Sequence, residues 1–426
     1  MPDRRGRGRA GPEPGLAHRL PVLAGGTAAR HRLVPVTGSL LASKRAVAAA
    51  FAVNGVLMAS LVSRVPALRD RLDLDNGALG LLLLAIAAGS VLSLPTAGRL
   101  VEWSSAATVV RIAAVLTALG LVTCAVGAFT AGSVPAAAAG LFIYGVGNGI
   151  WDVAMNVEGA EVERLLGRTI MPRFHAGWSF GNIGGAGVGV AMAAWDVPVQ
   201  AHLGVVALLA LGAVLVAVRE FLPVEAAPEH DRAPARSAWT EPRTLAIGLM
   251  VLTFAVAEGS ATDWLALAVI DGYDAPDWVG VSGYALFVTA MTTGRLLGPA
   301  ALDRFGRRPV LWASAGAVAA GTLLTVVGGS PVVAAVGILI WGIGAALGFP
   351  VGMSAAADDP ARAGARVSVV ATIGYAAFLT GPPLLGALGD AVGTLESLLA
   401  VTVLMGPAAA AVLAAGRPVS RPVSRP

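Results

Sequence analysis

A single cysteine, Cys124, occurs among 426 residues, which excludes an intrachain disulfide and any cysteine-based zinc site. Charge is equally scarce. Only 13% of the residues are Asp, Glu, Lys or Arg, against roughly 25% in soluble domains, so a water-facing surface of ordinary polarity is not available. The nucleotide-binding pattern Gly-x-x-x-x-Gly-Lys-Ser/Thr is absent, which disfavours ATP-driven work by this chain. There is also no His-Glu-x-x-His helix. Gly145-Val146-Gly147 lies inside an apolar run rather than after a strand, and reads as helix packing. Neither a cofactor nor a metal is expected. Residues 1–43 carry many arginines with Gly and Pro but no continuous apolar stretch, so no signal peptide is read there.

What the chain has is apolar surface. Hydrophobic residues make up 56% of it, and the mean hydropathy is +0.74. That much apolar side chain must face lipid, because dispersed proteins need polar surfaces. Apolar runs of roughly 20 residues, each able to cross a ~30 Å hydrocarbon layer, fall at 46–66, 78–98, 109–129, 136–157, 174–194, 201–221, 244–268, 279–301, 309–328, 332–357, 367–388 and 395–415. A Pro- and charge-rich stretch divides them six and six. The expected organisation is a disordered basic tail (1–43), a six-helix bundle (44–221), a linker (222–243), a second six-helix bundle (244–415) and a short tail (416–426). With the N-terminus inside, only Arg64, Arg69 and Arg71 fall on the outer side, while Asp70, Asp73, Asp75, Asp271, Asp274 and Asp277 gather there. Basic residues favour the cytoplasmic side, so both termini and the linker are expected in the cytoplasm of a bacterial inner-membrane protein. The formal net charge of +4 then needs no nucleic-acid partner.

The halves repeat. Leu141-Phe-Ile-Tyr-Gly-Val-Gly147 aligns with Ile338-Leu-Ile-Trp-Gly-Ile-Gly344, and the same offset pairs Gly177-Trp178 with Gly374-Tyr375 and Gly184 with Gly381. The segment around Glu102 corresponds to that around Asp303. A parallel duplication of six helices places a solute site at the interface of the halves.

Between the eighth and ninth runs stands Leu302-Asp303-Arg304-Phe305-Gly306-Arg307-Arg308. It resembles the loop signature G-x-x-x-D-R-x-G-R-R of the major facilitator superfamily. An acid at a helix end receives backbone and guanidinium donors, and Gly306 supplies the tight turn. The first half keeps Gly98 and Glu102 but lacks the basic residues that follow. Ser63-Arg64-Val65-Pro66, Asp152-Val-Ala-Met-Asn156 continuing through Gly167-Arg168 to Phe174-His175, Glu258-Gly-Ser-Ala-Thr-Asp263-Trp264 and Gly294-Arg295 are similar to the MosC-like branch of that superfamily. The resemblance covers roughly residues 45–415. It implies an all-α integral membrane protein of twelve transmembrane helices in two pseudo-symmetric halves, which moves a small solute by alternating access; members of the branch are similar to sugar permeases, and that similarity does not name a substrate.

Ionisable residues inside a membrane usually face a cavity or a partner. Tyr144, Asn148, Asp152 and Asn156 recur every four residues on the fourth span, whereas their repeat counterparts are Trp341, Ala345, Phe349 and Met353. Two readings stand for this face: cavity lining, or interhelical hydrogen bonding. His175 opens the fifth span, with Trp178, Ser179 and Asn182 following on a similar face, and an Asp152–His175 pair is expected to couple proton movement to transport. Glu258 is the deepest carboxylate of the second half and a candidate for proton or cation recognition. Asp263 and Trp264 lie further out, as a gate or as a surface for a sugar ring. Asn54, Tyr284 and Tyr375 are further candidates for hydrogen bonds to a solute. Arg295 reads either as a snorkelling side chain or as part of the inner latch with Asp303. Protons, a small solute and the bilayer are the expected partners, and a monomer is the expected state. Import of a polar solute, efflux of an amphipathic compound, a receptor, and a membrane enzyme using Asp152, His175 and Glu258 all remain open at this point.

Overall fold

A computed structural model describes residues 28–74, 76–222 and 238–416, and every regular element within them is a helix. In hydrocarbon a helix satisfies its own backbone N–H and C=O groups, which is why an apolar chain without a closed barrel uses nothing else. The α-helices are α1 (Ala28–Val62), α2 (Val65–Leu72), α3 (Asn76–Trp103), α4 (Ala106–Phe129), α5 (Val134–Leu166), α6 (Met171–Ala194), α7 (Val199–Ala217), α8 (Pro242–Tyr273), α9 (Asp277–Phe305), α10 (Arg307–Val327), α11 (Pro331–Ala345), α12 (Gly348–Ala356), α13 (Ala363–Val392), α14 (Thr394–Ser397) and α15 (Leu399–Ala411).

Among the described residues, eleven segments are long and apolar enough to cross a membrane, α11 and α12 forming one of them. The twelfth crossing is α6, whose 24 residues span about 36 Å but include many glycines and polar side chains. Two expectations shift. The stretch from Ala28 to Ser43 is helical rather than disordered, because extending a helix already nucleated by an apolar span costs little. The first outer loop holds α2, opened by Pro66 in its first turn and closed by Asp73 in a left-handed cap at φ 52°. The rest of the basic tail (1–27), most of the linker (223–237) and the end of the chain (417–426) lie outside the described residues.

Each half is built the same way. In the first, α5 packs on α3 and α4, and α1 on α6; in the second, α11 packs on α9 and α10, and α8 on α13. Ser133 and Ser330, one repeat apart, cap α5 and α11 by accepting the backbone N–H three residues on. The α4–α5 and α10–α11 crossings are backbone-close. A Cβ at Gly120 would overlap the Tyr144 amide, and one at Gly321 would overlap the amide of Trp341, the repeat counterpart of Tyr144. Small residues let membrane helices approach in this way. The halves meet along α3 with α13 and α6 with α9.

Candidate functional site

Between the halves lies a cavity of about 780 Å³. Its polar and aromatic walls come from α1 (Phe51, Asn54), α5 (Asn148, Asp152), α6 (His175, Trp178), α8 (Glu258, Asp263), α9 (Arg295), α12 (Phe349) and α13 (Tyr375, Phe378). It extends along Leu61, Val62 and Pro66 to the end where α1 turns into α2, the end remote from the linker.

The first-half wall is a chain of hydrogen bonds. Trp178 Nε1 donates to Asn54 Oδ1 at 3.0 Å, and Asn54 Nδ2 donates to Asn148 Oδ1 at 3.0 Å. Below it, Asn156 Nδ2 donates to the Asp152 carbonyl at 2.8 Å and to Asp152 Oδ1 at 3.2 Å. Because Asn156 presents its Oδ1 to His175 Nε2, 3.2 Å away, the imidazole is the donor there. The expected Asp152–His175 pair is therefore not direct: Asn156 stands between them. Asp152 is 6% exposed, and its Oδ2 has no hydrogen-bond partner among the described residues.

The second-half wall centres on a charge pair. Arg295 Nη2 lies 3.1 and 2.9 Å from the two oxygens of Glu258, and Nη1 crosses to the other half to donate to Ser179 Oγ at 2.9 Å. Arg295 thus belongs to the cavity and not to the latch beside Asp303, and the charge of Glu258 is already matched. The floor is aromatic. The His175 ring sits edge-on to Phe51 at 4.9 Å and to Phe349 at 5.6 Å, and Phe349 continues to Tyr375 at 6.4 Å and Phe378 beyond.

Several expected residues lie off the wall. A four-residue spacing advances about 40° per step on a 3.6-residue helix, so a stripe of four winds by about 120°. Only its middle members, Asn148 and Asp152, reach the cavity. Tyr144 is fully buried with its hydroxyl on Met58 Sδ at 3.7 Å, and Asn156 lies behind the wall. Asn182 donates to the Trp178 carbonyl at 3.1 Å, and Trp264 packs toward Gly386 on α13; neither they nor Tyr284 line the cavity. Phe51, Phe349 and Phe378 were missed, and Ser179 was read on the His175 face without its bond to Arg295. An arginine ten residues inside an apolar helix was the available signal for the pair with Glu258.

At the linker end the halves are closed. Glu102 Oε1 accepts the Ala365 amide at 3.1 Å, Ser368 donates to the Leu94 carbonyl, and Gly98 lies so close to Gly364 that a Cβ there would overlap its carbonyl. Asp303 Oδ1 accepts the Thr169 amide at 2.9 Å, so the acids of both half-signatures cap the opposite half. Glu163 accepts the Ile170 and Met171 amides at 2.8 and 2.7 Å and the hydroxyl of Ser354. Arg307 holds Ser354 at 2.8 Å and Asp358 at 2.7 Å. Arg308 donates to the Leu413 carbonyl at 2.8 Å, Arg304 lies 5.2 Å over the Phe305 ring, and Gly306 turns the chain at φ 80°. Glu241, just ahead of α8, accepts from Thr244 at 2.8 Å and from Arg366 at 2.7 Å, and pairs with Arg362. Burial pushes its carboxyl up, but those hydrogen bonds and the guanidiniums of Arg366 and Arg362 outweigh burial and hold it below the ordinary value.

No family model matches the chain. An uncharacterized MFS-type transporter of Yersinia pestis is 34% identical over 347 residues, covering 79% of this chain and 86% of the relative. The chain belongs to the major facilitator superfamily. The uncharacterized transporter y4wD of Sinorhizobium fredii is 32% identical over 361 residues, covering 83% of this chain and 92% of the relative. Membrane protein MosC of Rhizobium meliloti is 26% identical over 357 residues, covering 83% and 85%. Among solved structures, the fucose transporter FucP in its outward conformation matches with a TM-score of 0.76 at 15% identity, covering 89% of this chain and 100% of that one. The proton:xylose symporter XylE matches with a TM-score of 0.69 at 15% identity, covering 88% and 95%. At such identity these structures speak to the fold. This major facilitator protein is accordingly a multi-pass membrane transporter of twelve helices.

Proposed function

We propose that the protein is a proton-coupled secondary transporter that moves a small polar solute across the bacterial inner membrane by alternating access, as a monomer with both termini in the cytoplasm. The carrying observation is Asp152: a buried carboxylate on the wall of a cavity between two halves, with one oxygen lacking any donor among the described residues. An uncompensated charge there is costly. Binding a proton removes that cost, and releasing it when the cavity opens to the other side would tie proton movement to the rocking of the halves. With the linker end cytoplasmic, the arrangement described above is the outward-open state, in which Glu102, Asp303, Glu163 and Ser368 hold the cytoplasmic side shut. Breaking those bonds while the outer ends close converts it to the inward-open state.

His175 and Asn156 support this reading as positioning residues, since His175 holds Asn156 and Asn156 holds the carboxylate by its Oδ1, which leaves Oδ2 without a donor among the described residues. Asn54, Asn148 and Trp178 form a hydrogen-bonding edge suited to hydroxyl groups. The transporters of fucose and xylose that share the fold carry sugars with protons, which is consistent with a sugar-like solute. The aromatic rings of Phe51, Phe349 and Phe378 along the cavity floor favour a second reading, efflux of an amphipathic compound.

Reconstitution in liposomes tests both. A proton gradient should drive accumulation or extrusion of a solute from a panel of sugars, polyols, organic acids, amines and drugs, and Asp152→Asn should abolish gradient-driven movement while leaving solute counterflow measurable. Gradient-driven transport that survives Asp152→Asn would overturn the assignment of the proton site. Absence of counterflow for every member of the panel would count against a carrier.

A further inference from the structure

The wall of the cavity carries more acid than base. Asp152, Glu258 and Asp263 line it, with Arg295 and His175 as the basic residues; the imidazole faces Asn156 at 3.2 Å and makes no ion pair with an acid among the described residues. Glu258 and Arg295 cancel one another in a direct pair at 2.9 Å. That leaves two carboxylates. Asp152, on the first half, is 6% exposed and has an oxygen with no partner among the described residues. Asp263, on the second half, is exposed on the same wall and makes no ion pair among the described residues. The rings of Phe51, Trp178, Phe349, Tyr375 and Phe378 share the space. Ring faces attract cations, most strongly where water is excluded, and a buried carboxylate without a donor is stabilised by any positive group brought beside it. A neutral polyol uses neither property.

We propose that the transported solute carries a protonated amine whose counter-ion is Asp152, with Asp263 drawing it in from the open end of the cavity. The inference rests on the carrier reading and sharpens its substrate class. It also constrains the coupling. An ammonium group beside Asp152 compensates the carboxylate as a bound proton does, so the two occupy that position in turn. The cycle is then an exchange of organic cation against proton, with no covalent change to either.

The test uses the purified full-length protein in detergent and matched solute pairs that differ in charge: glucosamine against glucose, and 3,3-dimethylbutylamine against 3,3-dimethylbutan-1-ol. Intrinsic tryptophan fluorescence, to which the cavity residue Trp178 contributes, reads binding. In at least one pair the cationic member should bind about tenfold or more tightly than its partner, a difference within reach of one unscreened charge contact. Asp152→Asn should erase the preference. Asp263→Asn, at an exposed position that tolerates an isostere, should weaken it and keeps the test alive if the first variant fails to fold. Equal or tighter binding of the neutral members, binding of neither member of either pair, or a preference that survives both substitutions would overturn the proposal. Tight binding and counterflow of glucose alone would refute the amine and leave the carrier reading standing.

Discussion

A single methyl group at Gly98 should tip the conformational equilibrium of the whole molecule. Gly98 on α3 lies against Gly364 at the start of α13, and the atom that a Cβ would meet is a backbone carbonyl, which cannot swing aside like a side-chain tip. Relief requires the halves to part at the linker end. Two bonds on either side of the contact go with it, Glu102 to the Ala365 amide at 3.1 Å and Ser368 to the Leu94 carbonyl. One involves a charged acceptor, contributing about 1.5–3 kcal/mol, and one is neutral, contributing about 1 kcal/mol. Their loss shifts the balance by about 2.5–4 kcal/mol, or roughly 70- to 700-fold in the ratio of closed to open. The helix itself gains from the change, since Ala is the better helix former by about 1 kcal/mol. Spin labels on cysteines at Ser104 and Ala361, exposed on opposite halves at that end, report the separation by pulsed dipolar spectroscopy, and buried Cys124 stays unlabelled. Gly98→Ala should move the distance distribution to longer values. Gly80→Ala, on the same helix with open space around it, serves as the control. An unchanged distribution in Gly98→Ala would refute the claim that backbone contact keeps this end shut.

Arg295→Met should destabilise the folded protein by about 3–5 kcal/mol, because it strands Glu258 and removes the bond to Ser179; Glu258→Gln in the same chain should recover part of the loss in detergent unfolding curves. His175→Gln, which keeps a donor for Asn156, should retain the pH profile of transport, whereas His175→Ala should shift it. Asp303→Asn combined with Glu102→Gln should lengthen the same Ser104–Ala361 distances without any clash. Glu241 is held below its ordinary pKa, so its ionised form is what the fold favours. Its contribution is present above the unfolded value and is lost as pH falls through the depressed one. Glu241→Gln should therefore lower the thermal stability at neutral pH and make no difference in strong acid.

The twelve crossings were legible because lipid imposes a run length that few other environments demand, and the repeat was legible because Tyr144 and Trp341 each meet a corresponding glycine on a neighbouring helix, Gly120 and Gly321. Asp152 and Asn148 were found for a local reason, their polarity on an apolar helix. The errors were of a different kind. Whether a side chain four residues along still faces the cavity depends on how far the stripe has wound, which is why Tyr144 and Asn156 fell behind the wall. Arg295 needed a partner from another helix to reveal its purpose, and Phe349, the repeat counterpart of Asp152, carries no chemical mark to distinguish it from lipid-facing phenylalanines. Ser179 was legible as part of the His175 face, but its bond to Arg295 was not. The acids of the latch were read from the motif, but their acceptance of amides from the opposite half is a property of the assembled seam.

The glycine crossings within each half bear on how sequence change is tolerated. Where Gly120 meets the Tyr144 backbone and Gly321 meets that of Trp341, neither side has a rotatable group with which to yield. Each bundle therefore behaves as a stiff lever, and turnover is concentrated in the seam where the levers meet. Substitutions at the crossings should deplete protein from the membrane, while those along the seam should leave it abundant but slow, so that expression level and transport rate would separate the two kinds of damage in a mutational scan.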